Sequence, residues 1–187
     1  HDDLAAAVRA ARPRVPHRIE HFQCVHSDDI ARAAAAGIVV SMQPAHLPGD
    51  VMLAESRWAH RARGAYALRS LLREGTVLAF GSDVPVASLD PRQGIHAAMD
   101  RVAADGSFPL GWFPEERLGF EDAVRGFTLG NAIAGGIAGR RGRIAPGYDA
   151  DLVAWEVDDA VERGVGRAFL GARALLTVVG GEVVFAA

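Results

Sequence analysis

Thr76-Val77-Leu78-Ala79-Phe80-Gly81-Ser82-Asp83 is the stretch on which the reading of this sequence turns. A short apolar run rises to a small-residue terminus, and Pro85 breaks it two residues after an aspartate. That pattern predicts a strand that delivers Asp83 to its C-terminal end. Upstream, Ala65, Leu68, Leu71 and Leu72 recur at helical spacing and stop near Gly75. Before them lies Ile38-Val39-Val40-Ser41-Met42-Gln43, apolar and β-branched as in a parallel strand covered on both faces. Ser27-Asp28-Asp29 offers N-cap chemistry to a helix through Ala36, and Gly37 ends it. Pro16 and the alternation from His17 to Phe22 mark a first strand over 17–22. Downstream of Asp83, Ile95, Ala98, Met99 and Val102 mark another helix. Strand and helix alternate three times, which is the signature of βαβ units and a parallel sheet.

His21 and Asp83 are 62 residues apart in the sequence. A barrel of about 250 residues spends roughly 31 on each of eight βα repeats, so two repeats separate these residues. Both stand at the C-terminal ends of their strands, the face on which such barrels build active sites. The segment from Pro44 to Trp58 shows no steady period and reads as a long loop. After a loop containing Gly106, Pro109, Gly111 and Pro114, a helix runs from Glu121 to about Ala134 with Val124, Phe127 and Thr128 inward. Beyond Gly142 the pattern turns to short β elements. Ala150 to Trp155 is one, and Leu175 to Val179 with Glu182 to Phe185 forms a hairpin across Gly180-Gly181. The division expected is a partial α/β barrel over 1–141 and a β-sandwich segment over 142–187.

A chain of 187 residues, 50% hydrophobic and 23% charged, has the composition of a globular protein. A formal charge of −3 leaves no basic face for nucleic acid. The single cysteine, Cys24, excludes an internal disulfide and reads as a small packing residue in a reducing, cytoplasmic setting. No apolar stretch approaches the roughly 20 residues of a membrane span. The chain opens on His1, with Leu4, Ala7, Val8 and Ala11 in helical register, so it reads as starting inside a longer polypeptide.

Taken alone, His21 is also compatible with a hydrogen-bonded core histidine, and Asp83 with a turn residue before Val84-Pro85. Together they point to one mouth from strands two repeats apart, which suits a metal ligand and an acid/base carboxylate. His17 shares a strand face with His21, but four strand residues span about 13 Å, too far for one ion.

Several landmarks then fall in order. They are His17-Arg18-Ile19-Glu20-His21 with Gln23, Ser41-Met42-Gln43-Pro44-Ala45-His46, Gly64-Ala65-Tyr66, Arg69-Ser70-Leu71-Leu72 and Phe80-Gly81-Ser82-Asp83-Val84-Pro85-Val86. This succession resembles amidohydrolase family 3 proteins related to N-substituted formamide deformylases. Gly142-Arg143-Ile144-Ala145-Pro146-Gly147-Tyr148-Asp149-Ala150-Asp151-Leu152-Val153 and the segment from Thr177 to Val184 are similar to the closing β-sandwich segments of that family.

The resemblance implies a distorted (β/α)8 barrel with one or two divalent metals, usually zinc, and hydrolysis of amide or other non-peptide C–N bonds of a small-molecule substrate. By the same resemblance, this chain carries about strands 6 to 8 followed by strands of a small β-sandwich. His21 would be a metal ligand, and Asp83 a ligand and the general base. Gln43 and His46, at the mouth end of the second strand, are expected to line the substrate pocket. Arg57, Trp58 and Arg63, beside the long loop, are weaker candidates for specificity, with a surface role as their alternative.

The family's His-x-His pair and its metal-binding lysine are missing from this sequence, and the other histidines do not replace them. Three strands cannot close a barrel. The expectation is therefore an incomplete C-terminal fragment, inactive alone, that needs the N-terminal remainder of the barrel or another copy of the chain, with homo-oligomerisation open. The competing readings are a catalytically inactive barrel remnant or interaction module, and a phosphotriesterase-like or deaminase-like barrel hydrolase.

Overall fold

The computed structural model describes residues 15–187. The helical register read at Leu4 to Ala11 lies outside the described residues. Strands β1 (Arg18–Glu20), β2 (Val39–Met42) and β3 (Leu78–Phe80) form one parallel sheet in the order β1-β2-β3. Ile19 stands opposite Val40, and Ser41 opposite Ala79. The strands are shorter than the predicted runs, and both His21 and Asp83 lie just beyond the ends of theirs. Helix α1 (Ser27–Ala35) connects β1 to β2, α2 (Leu47–Trp58) and α3 (Leu68–Arg73) lie between β2 and β3, and α4 (Pro91–Asp100) follows β3. The cap of α1 is His26, whose side chain accepts from the Asp28 amide, one residue before the expected cap.

The segment from Pro44 to Trp58 is not a loop. A 3-10 turn, Pro44–His46, leads directly into α2. Leu47, Val51 and Ala54 fall at i, i+4 and i+7 and are all buried on one helix face. Pro44 and Pro48 occupy first-turn positions, where no amide donor is required. Their presence hid a period that the apolar residues carry.

The helix expected over 121–134 is interrupted. It comprises α5 (Phe120–Arg125), a π-turn over Gly126–Gly130 and α6 (Asn131–Ala134). Val124 and Phe127 pack against the core, whereas Thr128 is exposed and returns its hydroxyl to the Val124 carbonyl at 2.9 Å. The interruption follows from contact with β3. A Cβ on Gly130 would stand 1.9 Å from the Leu78 carbonyl oxygen, and one on Gly126 would stand 2.3 Å from the Phe80 ring. Only glycine lets the helix backbone come this close to the strand.

Side chains alternate across the sheet. Val40, Met42, Leu78 and Phe80 face the main core with Leu47, Leu68, Leu71, Ile95 and Met99. Val39 and Ala79 form a separate small cluster with Ala134 on the other face. Each buried Leu, Phe or Met of this kind contributes about 1.5–3 kcal/mol.

The second sheet is antiparallel, β4 (Leu152–Glu156) pairing with β5 (Arg173–Val179) and β5 with β6 (Glu182–Ala186). Gly180 and Gly181 make the hairpin turn with φ of 59° and 88°, the positive pair that a two-residue turn demands. This unit is fastened to α4. Asp100 accepts from the Gly166 and Arg167 amides at 2.8 and 2.7 Å, and Arg92 donates to the Ala172 carbonyl at 2.8 Å. Phe169 is buried in the main core, and Trp155 packs beside it with ring centroids 5.6 Å apart. Among the described residues no helix is long and apolar enough to cross a membrane.

Candidate metal centre

His21 and Asp83 meet at the C-terminal ends of the parallel strands. His21 Nε2 lies 3.9 Å from Asp83 Oδ2, and the two side chains remain 47% and 44% exposed. Two ligands about 2.1 Å from a tetrahedral zinc stand about 3.4 Å apart, so the separation is within about half an ångström of a shared ion. Imidazole nitrogen with carboxylate oxygen is also a donor set suited to divalent transition metals. The pair fits half of a site. Among the described residues no group of three or more His, Cys, Asp or Glu side chains is arranged to hold an ion.

Both residues sit on strained backbone. His21 has φ of 67°, and the Phe22 amide donates to the Glu20 carbonyl across it at 2.9 Å. That is a γ-turn of the rare, positive-φ kind. Asp83 has φ of 55°. Non-glycine residues in this region cost on the order of 1 kcal/mol each and persist only where the surroundings hold them.

On the His21 side, the holding groups are visible. The Tyr66 amide donates to the Gln23 carbonyl at 2.9 Å, and the Val25 amide to the Gly64 carbonyl at 3.0 Å. Tyr66 Oη donates to Asp50 Oδ2 at 2.5 Å, while Gln23 Nε2 donates to Asp50 Oδ2 at 2.7 Å and to Tyr66 Oη at 2.6 Å. Burial, reinforced by Asp50, pushes the Tyr66 phenol well above its usual range, so it stays a donor. Arg101, fully buried, donates to the Trp112, Tyr66 and Ala65 carbonyls at 2.7, 2.8 and 3.3 Å. Burial brings its guanidinium down to about 10, still charged at neutral pH. Cys24 bridges to Ala65 in the same segment.

His46 is brought into the group. Its ring is stacked on that of His21, with centroids 6.5 Å apart and an interplanar angle of 29°. Its Nε2 is 3.2 Å from the Ser82 carbonyl. Gln43 is 5% exposed, and its Oε1 is buried without a hydrogen-bond partner among the described residues. His17 is exposed at the start of β1, its carbonyl accepting from the Val39 amide at 2.9 Å. Arg57 and Trp58 end α2 on the surface, and Arg63 pairs with Glu115 at 2.5 Å. The Asp50–Tyr66–Gln23 network, Arg101 and Asn131 carried no role in the sequence reading. Gly64-Ala65-Tyr66 was only a landmark there, and nothing in the sequence distinguishes Arg101 from a surface arginine.

This is a mixed α/β chain with a histidine and an aspartate converging at the C-terminal ends of parallel strands. The amidohydrolase family's sequence profile matches residues 2–185, and the chain belongs to the amidohydrolase family. It is similar to Protein LONG AFTER FAR-RED 3 of Arabidopsis thaliana, 33% identical over 98% of this chain and 31% of that protein. YtcJ of Bacillus subtilis (strain 168) is 32% identical over 72% of this chain and 26% of its own length. The chain thus spans about a third or less of the curated relatives it matches. Among solved structures, an uncharacterized metal-dependent hydrolase from Pyrococcus furiosus superposes with a TM-score of 0.64 at 30% identity, over 80% of this chain and 29% of that one. A zinc-bound adenosine deaminase from Xanthomonas campestris shares the fold alone, with a TM-score of 0.62 at 20% identity over 90% of this chain and 37% of that one.

Proposed function

We propose that this chain is the C-terminal part, about strands 6 to 8 with a following β-sandwich segment, of a (β/α)8 metal-dependent hydrolase acting on amide or other non-peptide C–N bonds. The observation that carries the reading is the 3.9 Å approach of His21 Nε2 to Asp83 Oδ2 from two separate strand ends. These residues would hold a divalent ion, zinc in the first instance, with the remaining ligands supplied from outside the chain. A bound ion of this kind supplies an acidified water near neutral pH and a Lewis acid for the carbonyl oxygen. Asp83 has one carboxylate oxygen turned to His21. Its other oxygen is free to accept the proton of the attacking water and return it to the leaving nitrogen. His46 and Gln43 flank the same mouth. The buried Oε1 of Gln43 has no partner among the described residues, so it is an acceptor left for a donor from outside them.

Within this reading, residues 1–141 are barrel and 142–187 sandwich. The outer edge of β1 has no strand partner among the described residues, and its residues are exposed. The rest of a longer polypeptide, or another copy of the chain, fills that edge. The alternative of a catalytically silent remnant draws on the lack of any three-donor group among the described residues.

Two measurements separate these readings. The intact mass of the natural polypeptide should be well above 19.8 kDa. Asp83→Asn in that polypeptide should lower amide hydrolysis by about 10²–10⁴-fold. Full activity from a product of 19.8 kDa overturns the fragment reading, and full activity in Asp83→Asn overturns the role of Asp83.

A further inference from the structure

The sheet stops holding its chain before Asp83 is reached. The last ladder bond of β3 is Gly81 N–H to the Met42 carbonyl, at 3.1 Å. Ser82 and Asp83 lie beyond it, and Asp83 adopts φ of 55°. Locally, a turn over residues 83–86 holds Asp83, the Val86 amide donating to its carbonyl at 2.8 Å, and the approach from Phe80 into that turn is held from outside. Two side chains from different elements reach the segment, one on each side.

His46, at the end of the 3-10 turn after β2, approaches the Ser82 carbonyl with Nε2 at 3.2 Å. A carbonyl only accepts, so the contact requires a proton on Nε2 and fixes the ring's tautomer. The bond falls on the peptide group that leads into Asp83. The same ring stacks on His21, so its placement is shared by both partners of the candidate centre.

The second contact comes from the opposite edge. Val77 and Gly81 bond to β2, which leaves the Leu78 and Phe80 carbonyls directed away from it. Asn131 Nδ2 donates to the Phe80 carbonyl at 2.9 Å and to Phe127 at 3.2 Å. Asn131 reaches the strand because of the π-turn over Gly126–Gly130. One extra residue in a helix turns everything after it by about 100°. The continuous helix expected from the sequence would rotate Asn131 off the strand. Gly130 against the Leu78 carbonyl fixes the height of the contact.

We propose that His46 and Asn131 are positioning residues that clamp the Phe80–Asp83 segment from its two sides and so hold the Asp83 carboxylate toward His21. The inference rests on the reading of Asp83 as a metal and proton-transfer residue, and assigns His46 a task beyond lining the pocket. An ångström of misplacement at a reacting group costs about 10²-fold in rate, which is the scale at which such a clamp matters.

The test uses the complete polypeptide in solution, where the remaining ligands are present, and three conservative variants. His46→Gln keeps a donor near the Nε2 position, His46→Asn places its donor nearer Nδ1, and Asn131→Asp replaces a donor by an acceptor of the same shape. The readout is the backbone conformation of Asp83, from its amide-to-Hα coupling and Cα chemical shift. The wild type and His46→Gln should show positive φ, and His46→Asn and Asn131→Asp should lose it with the rest of the spectrum preserved. Retention of positive φ in both of these variants, or its absence in the wild type, overturns the clamp. Zinc chloride is then titrated into the same samples. Shifts at His21 and Asp83 that weaken at least tenfold in His46→Asn support the clamp's bearing on the metal pair. Absence of zinc-dependent shifts in the wild type, with the φ pattern as expected, refutes the metal reading and leaves the clamp standing.

Discussion

Arg101→Met removes a buried cation at nearly constant length and tests how the His21 side is supported. Three carbonyls lose a donor: Trp112 at 2.7 Å, Tyr66 at 2.8 Å and Ala65 at 3.3 Å. A buried acceptor stripped of its partner costs about 1–3 kcal/mol. Tyr66 keeps the Leu68 amide at 2.7 Å, and the Ala65 contact is long, so both count at the low end. Relief of the buried charge offsets part of the sum. The net expectation is a loss of about 3 kcal/mol, or roughly 6–12 °C in Tm for a chain of this size. Urea unfolding followed by circular dichroism measures it. The amides of Gln23 to Val25 should also exchange faster, because the segment that pairs with them is no longer tied to α4. A loss under about 1 kcal/mol, with unchanged exchange there, would refute the view that Arg101 organises this region.

Gly130→Ala should destabilise the fold by more than about 2 kcal/mol in the same assay, since its Cβ meets a backbone oxygen at 1.9 Å and neither strand nor helix yields cheaply. Gln43→Met should raise Tm by removing a buried orphan acceptor worth about 1–3 kcal/mol, while raising KM in the complete enzyme. Asp100 gives a pH dependence. Burial raises its pKa, but the hydrogen bonds from His96, Gly166 and Arg167 outweigh this and hold it below the ordinary carboxyl value. Its folded pKa is depressed, so its contribution is present above about pH 4 and lost as pH falls through the folded value. Asp100→Asn should accordingly flatten the acid limb of the stability curve, measured as urea midpoints from pH 6 to 2.

The parallel sheet was legible because Val39, Val40, Leu78 and Phe80 declare a doubly covered strand by composition alone. The approach of His21 to Asp83 was legible because a strand's end is visible in sequence, and two βα repeats bring the two ends to one face with a single strand between them. The helix α2 was missed because Pro44 and Pro48 read as breakers, whereas at first-turn positions they are neutral. The π-turn escaped because an inserted residue leaves the helical period almost intact, and only the strand beneath shows why Gly126 and Gly130 are needed. Arg101 was invisible because a charged residue carries no mark of burial until its three carbonyl partners are assembled by distant segments.

The most direct measurement is zinc-edge anomalous scattering from zinc-equilibrated crystals of the complete polypeptide. The proposal places an ion about 2.0–2.2 Å from both His21 Nε2 and Asp83 Oδ2. Anomalous density confined to another pair, such as His96 and Asp100, or none at saturating zinc, would contradict it.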